Sequence, residues 1–291
     1  MNTKKLLAII LSLIVLTAGL VSCKENDNNT SDTDKTSEEQ SAASSEEQSA
    51  AFKDEEAEQL LILASEKLES LNNYTLNATN DIAYGTTGQM VEMEQSIVIK
   101  VAFQDESNPM FSTETTFDIG FGEMTVSGIY ASGYYYTDIV GEKMKAAVTS
   151  EQLSELAALY LSMSEDLKTE GFDSITKTDN NDGSRTVTCS EVKAESFNEL
   201  YGDMLEGFDV YEDSDIDIED MTLTTVIDED GNIVSQNRSM SMKITTDEEQ
   251  ISYSLQTTIT YSDLGTTTIN APESTDDYEE MEYSDLLAFL G

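Results

Sequence analysis

The chain has 291 residues, the length of one or two domains, and its 58 Asp and Glu against 15 Lys and Arg give a formal net charge of −43. It contains no His, no Trp, two Cys and two Pro, so Ser-His-Asp, Cys-His and His-ligated metal chemistry are excluded together. The same charge argues against a nucleic-acid partner, because a phosphate backbone is bound through Lys and Arg that displace condensed counterions.

Residues 1–22 read as a signal peptide. Lys4 and Lys5 precede an apolar run from Leu6 to Leu16 broken only by Ser12, then the small residues Thr17, Ala18 and Gly19. That order is secretory, and the run is too short for a comfortable membrane span. It ends at Leu20-Val21-Ser22-Cys23, which resembles the lipobox of bacterial lipoproteins. The resemblance implies cleavage after Ser22, acyl chains on Cys23 and an extracytoplasmic position on the cell membrane. Two or three acyl chains anchor a protein stably where one does not. Loss of residues 1–22 removes two lysines and no acid, which takes the mature charge to about −45.

Residues 23–52 carry the anchor and a tether. Lys24 to Ala51 holds no large apolar residue, and Ser37-Glu38-Glu39-Gln40-Ser41-Ala42-Ala43 recurs as Ser45-Glu46-Glu47-Gln48-Ser49-Ala50-Ala51. Such a segment cannot bury enough apolar area to offset its ordering entropy. Its root-mean-square reach is roughly 30 Å.

A single domain is expected over 53–272. Ala57, Leu60, Leu61, Ala64, Leu68 and Leu71 fall at helical spacing, with acids in the first turns where the helix dipole favours them. Period-two alternation follows at Ile97 to Phe103, Phe111 to Ile119, Met124 to Tyr130, Met221 to Ile227, Met240 to Ile244 and Tyr253 to Tyr261. Many such segments mean antiparallel strands with one buried face. Turn signals stand at Asn108-Pro109, Asn181-Asp182-Gly183 and Glu229-Asp230-Gly231-Asn232. Two more helices are expected, one on Leu153, Leu156, Tyr160, Met163 and Leu167, the other from Phe197 to Phe208. The fold class is α+β: a long, curled antiparallel sheet, an unclosed β-barrel, with helices covering its concave face.

The order of lipobox, polar tether, N-terminal helix, strand meander, helical excursion and closing strands resembles the LolA/LppX-like lipoproteins. Gly133-Tyr134-Tyr135-Tyr136-Thr137-Asp138 with Glu142-Lys143-Met144-Lys145 is similar to the hairpin common before the helical excursion. Ile259 to Gly265, running on to Ile269 and Pro272, is similar to the family's terminal hairpin. The resemblance implies an unclosed barrel with a helical lid and a lipid or acyl-chain ligand in its cavity. Many Gram-positive lipoproteins share the architecture.

The candidate ligand-binding residues are Met124, Tyr134, Tyr136, Met163, Met204, Met221, Met240 and Met242. Thioethers are flexible and polarizable and suit varied acyl chains, and tyrosines can line a cavity mouth with their hydroxyls wet. Each set has a plainer reading, as adaptable core and as an edge hairpin. Between Lys193 and Arg238 there are 14 acids and no base, including Asp213 to Asp220. Alternate carboxylates there could hold Ca²⁺, but the EF-hand pattern fails and a solvated acidic loop is the plainer reading. No metal site, cofactor or catalytic residue is expected, and Cys189 reads as a strand residue with no adjacent base to activate it. The 273–291 tail is acidic, with Tyr283, Leu286, Leu287 and Leu290 at helical spacing, which allows either a short amphipathic helix that docks on the domain or on a partner, or a frayed tail.

The expected function is therefore that of a non-enzymatic, membrane-anchored lipoprotein that binds a lipid or other hydrophobic ligand. The rival is an interaction or structural lipoprotein with a filled core, whose acidic surface meets a basic protein or cations.

Overall fold

The computed structural model describes residues 52–86, 89–103, 108–118, 122–161, 169–192, 215–245 and 250–290. The expected signal, Cys23 and the tether, and the expected helix at 197–208, lie outside them. Met163 and Met204 do too.

Helix α1, Glu55–Glu69, starts at Asp54, whose carboxylate accepts from the backbone N–H of Glu56 and Ala57. Ala57, Leu61, Ala64 and Leu68 are its buried stripe. The chain then enters six strands, of which the alternation predicts three and the hairpin over 133–145 two more. They are β2 (Asn73–Thr86), β3 (Gln89–Ala102), β4 (Met110–Asp118), β5 (Glu123–Ala131), β6 (Tyr134–Ile139) and β7 (Glu142–Ala147). Helix α2, Ser150–Leu161, follows, started by Thr149, whose hydroxyl accepts from the Gln152 N–H while Gln152 Oε1 accepts from the Thr149 N–H. Strands β8 (Phe172–Asp179), β9 (Arg185–Val192), β10 (Asp215–Ile227), β11 (Ile233–Thr245) and β12 (Gln250–Ser262) complete the body. Two short strands stand at the ends of the order: β1 (Phe52–Lys53) pairs parallel with β8, and β13 (Glu279–Met281) pairs parallel with β7. The last helix is α3, Tyr283–Leu290.

All thirteen strands form one sheet, in the order β1-β8-β9-β10-β11-β12-β2-β3-β4-β5-β6-β7-β13. Every internal pairing is antiparallel, and the outermost strands do not pair with each other, so the sheet is unclosed. The described chain is therefore mostly β with one substantial helix: the expected long, unclosed antiparallel sheet is present, with less helix than the α+β expectation carries. One face, here the inner face, holds the core. Tyr74, Leu76, Ile97, Ile99, Phe111, Phe117, Tyr135, Ile259 and Leu223 pack there with Leu61 of α1, Leu156 of α2 and Leu286 of α3. The other face alternates with it in Thr, Ser, Asp and Glu, as one-sided burial of an antiparallel sheet requires.

Two expectations are corrected. The chain after Gly265 makes no hairpin: residues 266–278 form no strand, and Thr267 is instead held to Asn73 by two hydrogen bonds, of 2.7 and 3.0 Å. The acidic stretch 215–220 is no loop but the start of β10. The short helix that the spacing of the tail allows is present as α3 and docks through Leu286, which is 1% exposed, while β13 before it joins the sheet.

Candidate functional site

Register places the methionines. Met221 on β10 faces Met240 on β11, Met240 faces Leu255 on β12, Leu255 faces Ile82 on β2, and Ile82 faces Met93 on β3. These five side chains form one unbroken row across the inner face, and all are buried. The next row towards the start of β10 runs Ile218, Met242, Tyr253, Tyr84 and Val91. It opens outwards: Met242 is buried, Tyr253 and Tyr84 are half-buried, and Val91 is 49% exposed. Burial pushes the Tyr253 hydroxyl up to about 12, so it stays neutral at any physiological pH. Helix α1 packs on β8, β9 and β11, and its Lys67 ammonium reaches the carbonyl of Asp230 at the β10–β11 turn. That is the opposite end of β10 from the Ile218 row.

Sequence-nominated residues divide between the two faces. Met221, Met240 and Met242 come together on three residues of two neighbouring strands. Met124 shares their face but sits further along the sheet on β5, facing Phe117 of β4. Tyr134 and Tyr136 do not join them, because in β6 it is Tyr135 that points inward, beside Tyr130. The ring of Tyr136 meets Tyr134 at 6.1 Å and Tyr278 edge-on at 5.2 Å, with Lys143 over the Tyr278 ring. These tyrosines are an outer-face cluster with the C-terminal segment, which fits the edge-hairpin reading. Met93 escaped the sequence reading, although it stands two residues before the regular alternation of Gln95, Ile97 and Ile99.

The chain is structurally similar to LprF from Mycobacterium bovis. The TM-score is 0.42 at 15% sequence identity, over 76% of this chain and 98% of that one. A DUF1329 family protein from Desulfovibrio piger has a TM-score of 0.23 at 9% identity, over 75% and 95% of the two chains. The ywiB protein from Bacillus subtilis has 0.17 at 9%, over 67% and 96%. No protein-family model matches the sequence, and no curated protein matches it.

Two hollows stand out among the described residues. One, of about 590 Å³, lies against β2, β3, β11 and β12 and is lined by Asp81, Glu92, Glu94 and Asp118 together with Ile82, Met93, Met240 and Leu255 of the methionine row. The other, of about 560 Å³, lies between Tyr134, Lys145 and Gln152 and the C-terminal Glu280, Tyr283 and Asp285. Among the described residues there is no group of three or more acidic or Cys side chains arranged to hold a metal ion. No described helix is long and apolar enough to cross a membrane. Cys189 is 1% exposed on the inner face, and burial pushes its thiol up to about 12. It has no thiolate to offer as nucleophile or ligand at neutral pH.

Proposed function

We propose that this protein is a non-enzymatic lipoprotein, anchored on the extracytoplasmic face of the cell membrane through Cys23, that binds a lipid or other hydrophobic ligand on the inner face of its sheet. The observation that carries the reading is the pair of adjacent apolar rows built on Met221, Met240, Met93 and Met242. Four thioethers on one patch give a surface that repacks around apolar shapes at low cost. The row with Tyr253, Tyr84 and Val91 leads from that patch towards solvent and supplies a mouth. The lipobox supplies the anchor.

Two measurements test it. Growth with an alkynyl fatty acid should label the protein, and Cys23→Ala should abolish the label. Native mass spectrometry of the Cys23→Ser chain should show a mass excess that organic solvent releases as lipid. A clean protein mass, unchanged after incubation with envelope lipids, would remove ligand binding and leave the anchor. The hollow lined by Asp81, Glu92, Glu94 and Asp118 favours a second reading, in which the polar face receives a basic protein or cations. Pull-down with the quadruple Asn/Gln variant as control separates the two.

A further inference from the structure

One row of the inner face does not suit an apolar lining. Two residues along each strand from the methionine row, Arg238 faces Thr257, Thr257 faces Asn80, and Asn80 faces Gln95. Thr257, Asn80 and Gln95 are all buried. The Thr257 hydroxyl donates to Asn80 Oδ1 at 2.7 Å, and Asn80 Nδ2 donates to Gln95 Oε1 at 2.8 Å. Both bonds run in the same direction, so the string ends on a donor. That donor, Gln95 Nε2, is buried and has no hydrogen-bond partner, on a side chain that is 0% exposed. Nearly every buried polar group in a protein is paired, and an unpaired one forfeits its hydration without return. A chain of aligned bonds also polarises its terminal donor and makes it a stronger one. Filling a core asks only for Leu or Met here, which is what the neighbouring row contains.

We propose that this row is the polar subsite of the hydrophobic site: Gln95 Nε2 donates to the carbonyl or carboxylate oxygen of an acyl chain whose hydrocarbon lies along Met93, Met240 and Met221. An acyl oxygen is a pure acceptor and so matches a lone donor. The inference rests on the proposed function and deepens it, since it names the group that the site recognises. A free fatty acid and a glycerol ester both supply it.

The test uses the full chain carrying Cys23→Ser and follows displacement of Nile red by dodecanoate, monododecanoylglycerol and dodecane. The acyl probes should displace the dye at least tenfold more effectively than dodecane, which has the same chain and no oxygen. Displacement by dodecanoate alone points to a free acid, and displacement by both acyl probes points to the carbonyl. The variant Thr257→Val/Asn80→Leu/Gln95→Leu, which replaces the whole string and leaves no new orphan, should lose that margin and still bind dodecane. Equal binding of all three probes, or an undiminished margin in the variant, overturns the subsite and leaves the apolar site standing. Failure of dye and probes alike overturns both. An NMR arm reads the native Gln95 side chain directly. The Gln95 side-chain amide, assigned by its loss in Gln95→Glu, should shift with dodecanoate and not with dodecane, and a shift with neither sinks the proposal.

Discussion

Gly128 on β5 shows how one residue fixes its neighbours. A Cβ built there would stand 1.8 Å from the Tyr135 hydroxyl oxygen and 2.3 Å from the ring carbon that bears it. The missing side chain is thus what lets the Tyr135 ring lie flat on the sheet, where it is 1% exposed with its hydroxyl 3.3 Å from Thr113 Oγ1. Gly128→Ala should cost about 2–3 kcal/mol in a urea titration, because the new methyl and the buried ring compete for the same space. Tyr135→Val in the same chain should recover part of it. Cys189 gives a second residue-scale outcome. With its thiol pushed up to about 12 by burial, it should resist a disulfide reagent at pH 8 for as long as the fold lasts and react at once in denaturant. Asp228 gives a third. Burial alone would raise its carboxyl, but the N–H and side-chain amide of Asn232, each at 2.8 Å, hold it below its ordinary 3.8. A carboxyl whose folded value is depressed adds stability above its unfolded value and loses it as the pH falls through the folded one. Asp228→Asn should therefore lower the urea midpoint at pH 7, and the deficit should close as the pH is taken down through and below 3.8.

The elements divide by how they meet water, and that division also decides what the sequence makes legible. Strands β3, β4, β5, β10, β11 and β12 bury one face, so alternation exposes them: Ile97, Ile99 and Val101 mark β3 without any structure. Strand β2 does not alternate cleanly. It starts with four buried residues and puts Asn80 on the inner face, so its apolar period is broken by the polar string to which it belongs. Period also cannot say which of three consecutive tyrosines points inward, and the register of β5 with β6 settles that on Tyr135. Long-range docking is invisible in the same way. Nothing near Glu279 announces a strand parallel to β7, 135 residues distant in pairing from Met144. That strand nevertheless matters, because an unclosed sheet leaves edges that invite a second chain. At both ends the outermost strand is two or three residues long, too short to template a neighbour. Deleting residues 279–291 should uncover the six-residue β7 and withdraw Leu286 from the core. Leu286→Ala alone should cost about 2–4 kcal/mol as a truncated core side chain. The deletion should add concentration-dependent association by light scattering, which the point variant should lack.

At the scale of the whole molecule the dominant quantity is the charge of −43 on 291 residues. The described ion pairs do little to offset it. Lys177 with Glu56, Lys145 with Glu280 and Lys243 with Glu219 all carry an exposed acid, and such pairs contribute about 0–1 kcal/mol each. Salt acts on both sides of this balance. It weakens three favourable pairs by tenths of a kcal/mol, and it screens repulsion among many carboxylates on one polar sheet face. The second effect involves far more charges and so decides the sign. At 0.01 M salt the screening length of about 30 Å couples charges across much of the sheet, and at 0.15 M it shrinks to about 8 Å. Raising NaCl from 0.01 to 0.3 M should therefore raise the melting temperature by about 2–5 °C, against the usual expectation for a protein rich in surface ion pairs. Replacing NaCl by CaCl₂ at equal ionic strength separates screening from binding. Equal melting curves would mean that Asp81, Glu92, Glu94 and Asp118 act only through the summed field. A further rise with Ca²⁺ that the Asn/Gln replacements of those four abolish would mean that the polar face holds the ion, and would shift weight from the ligand reading to the cation reading.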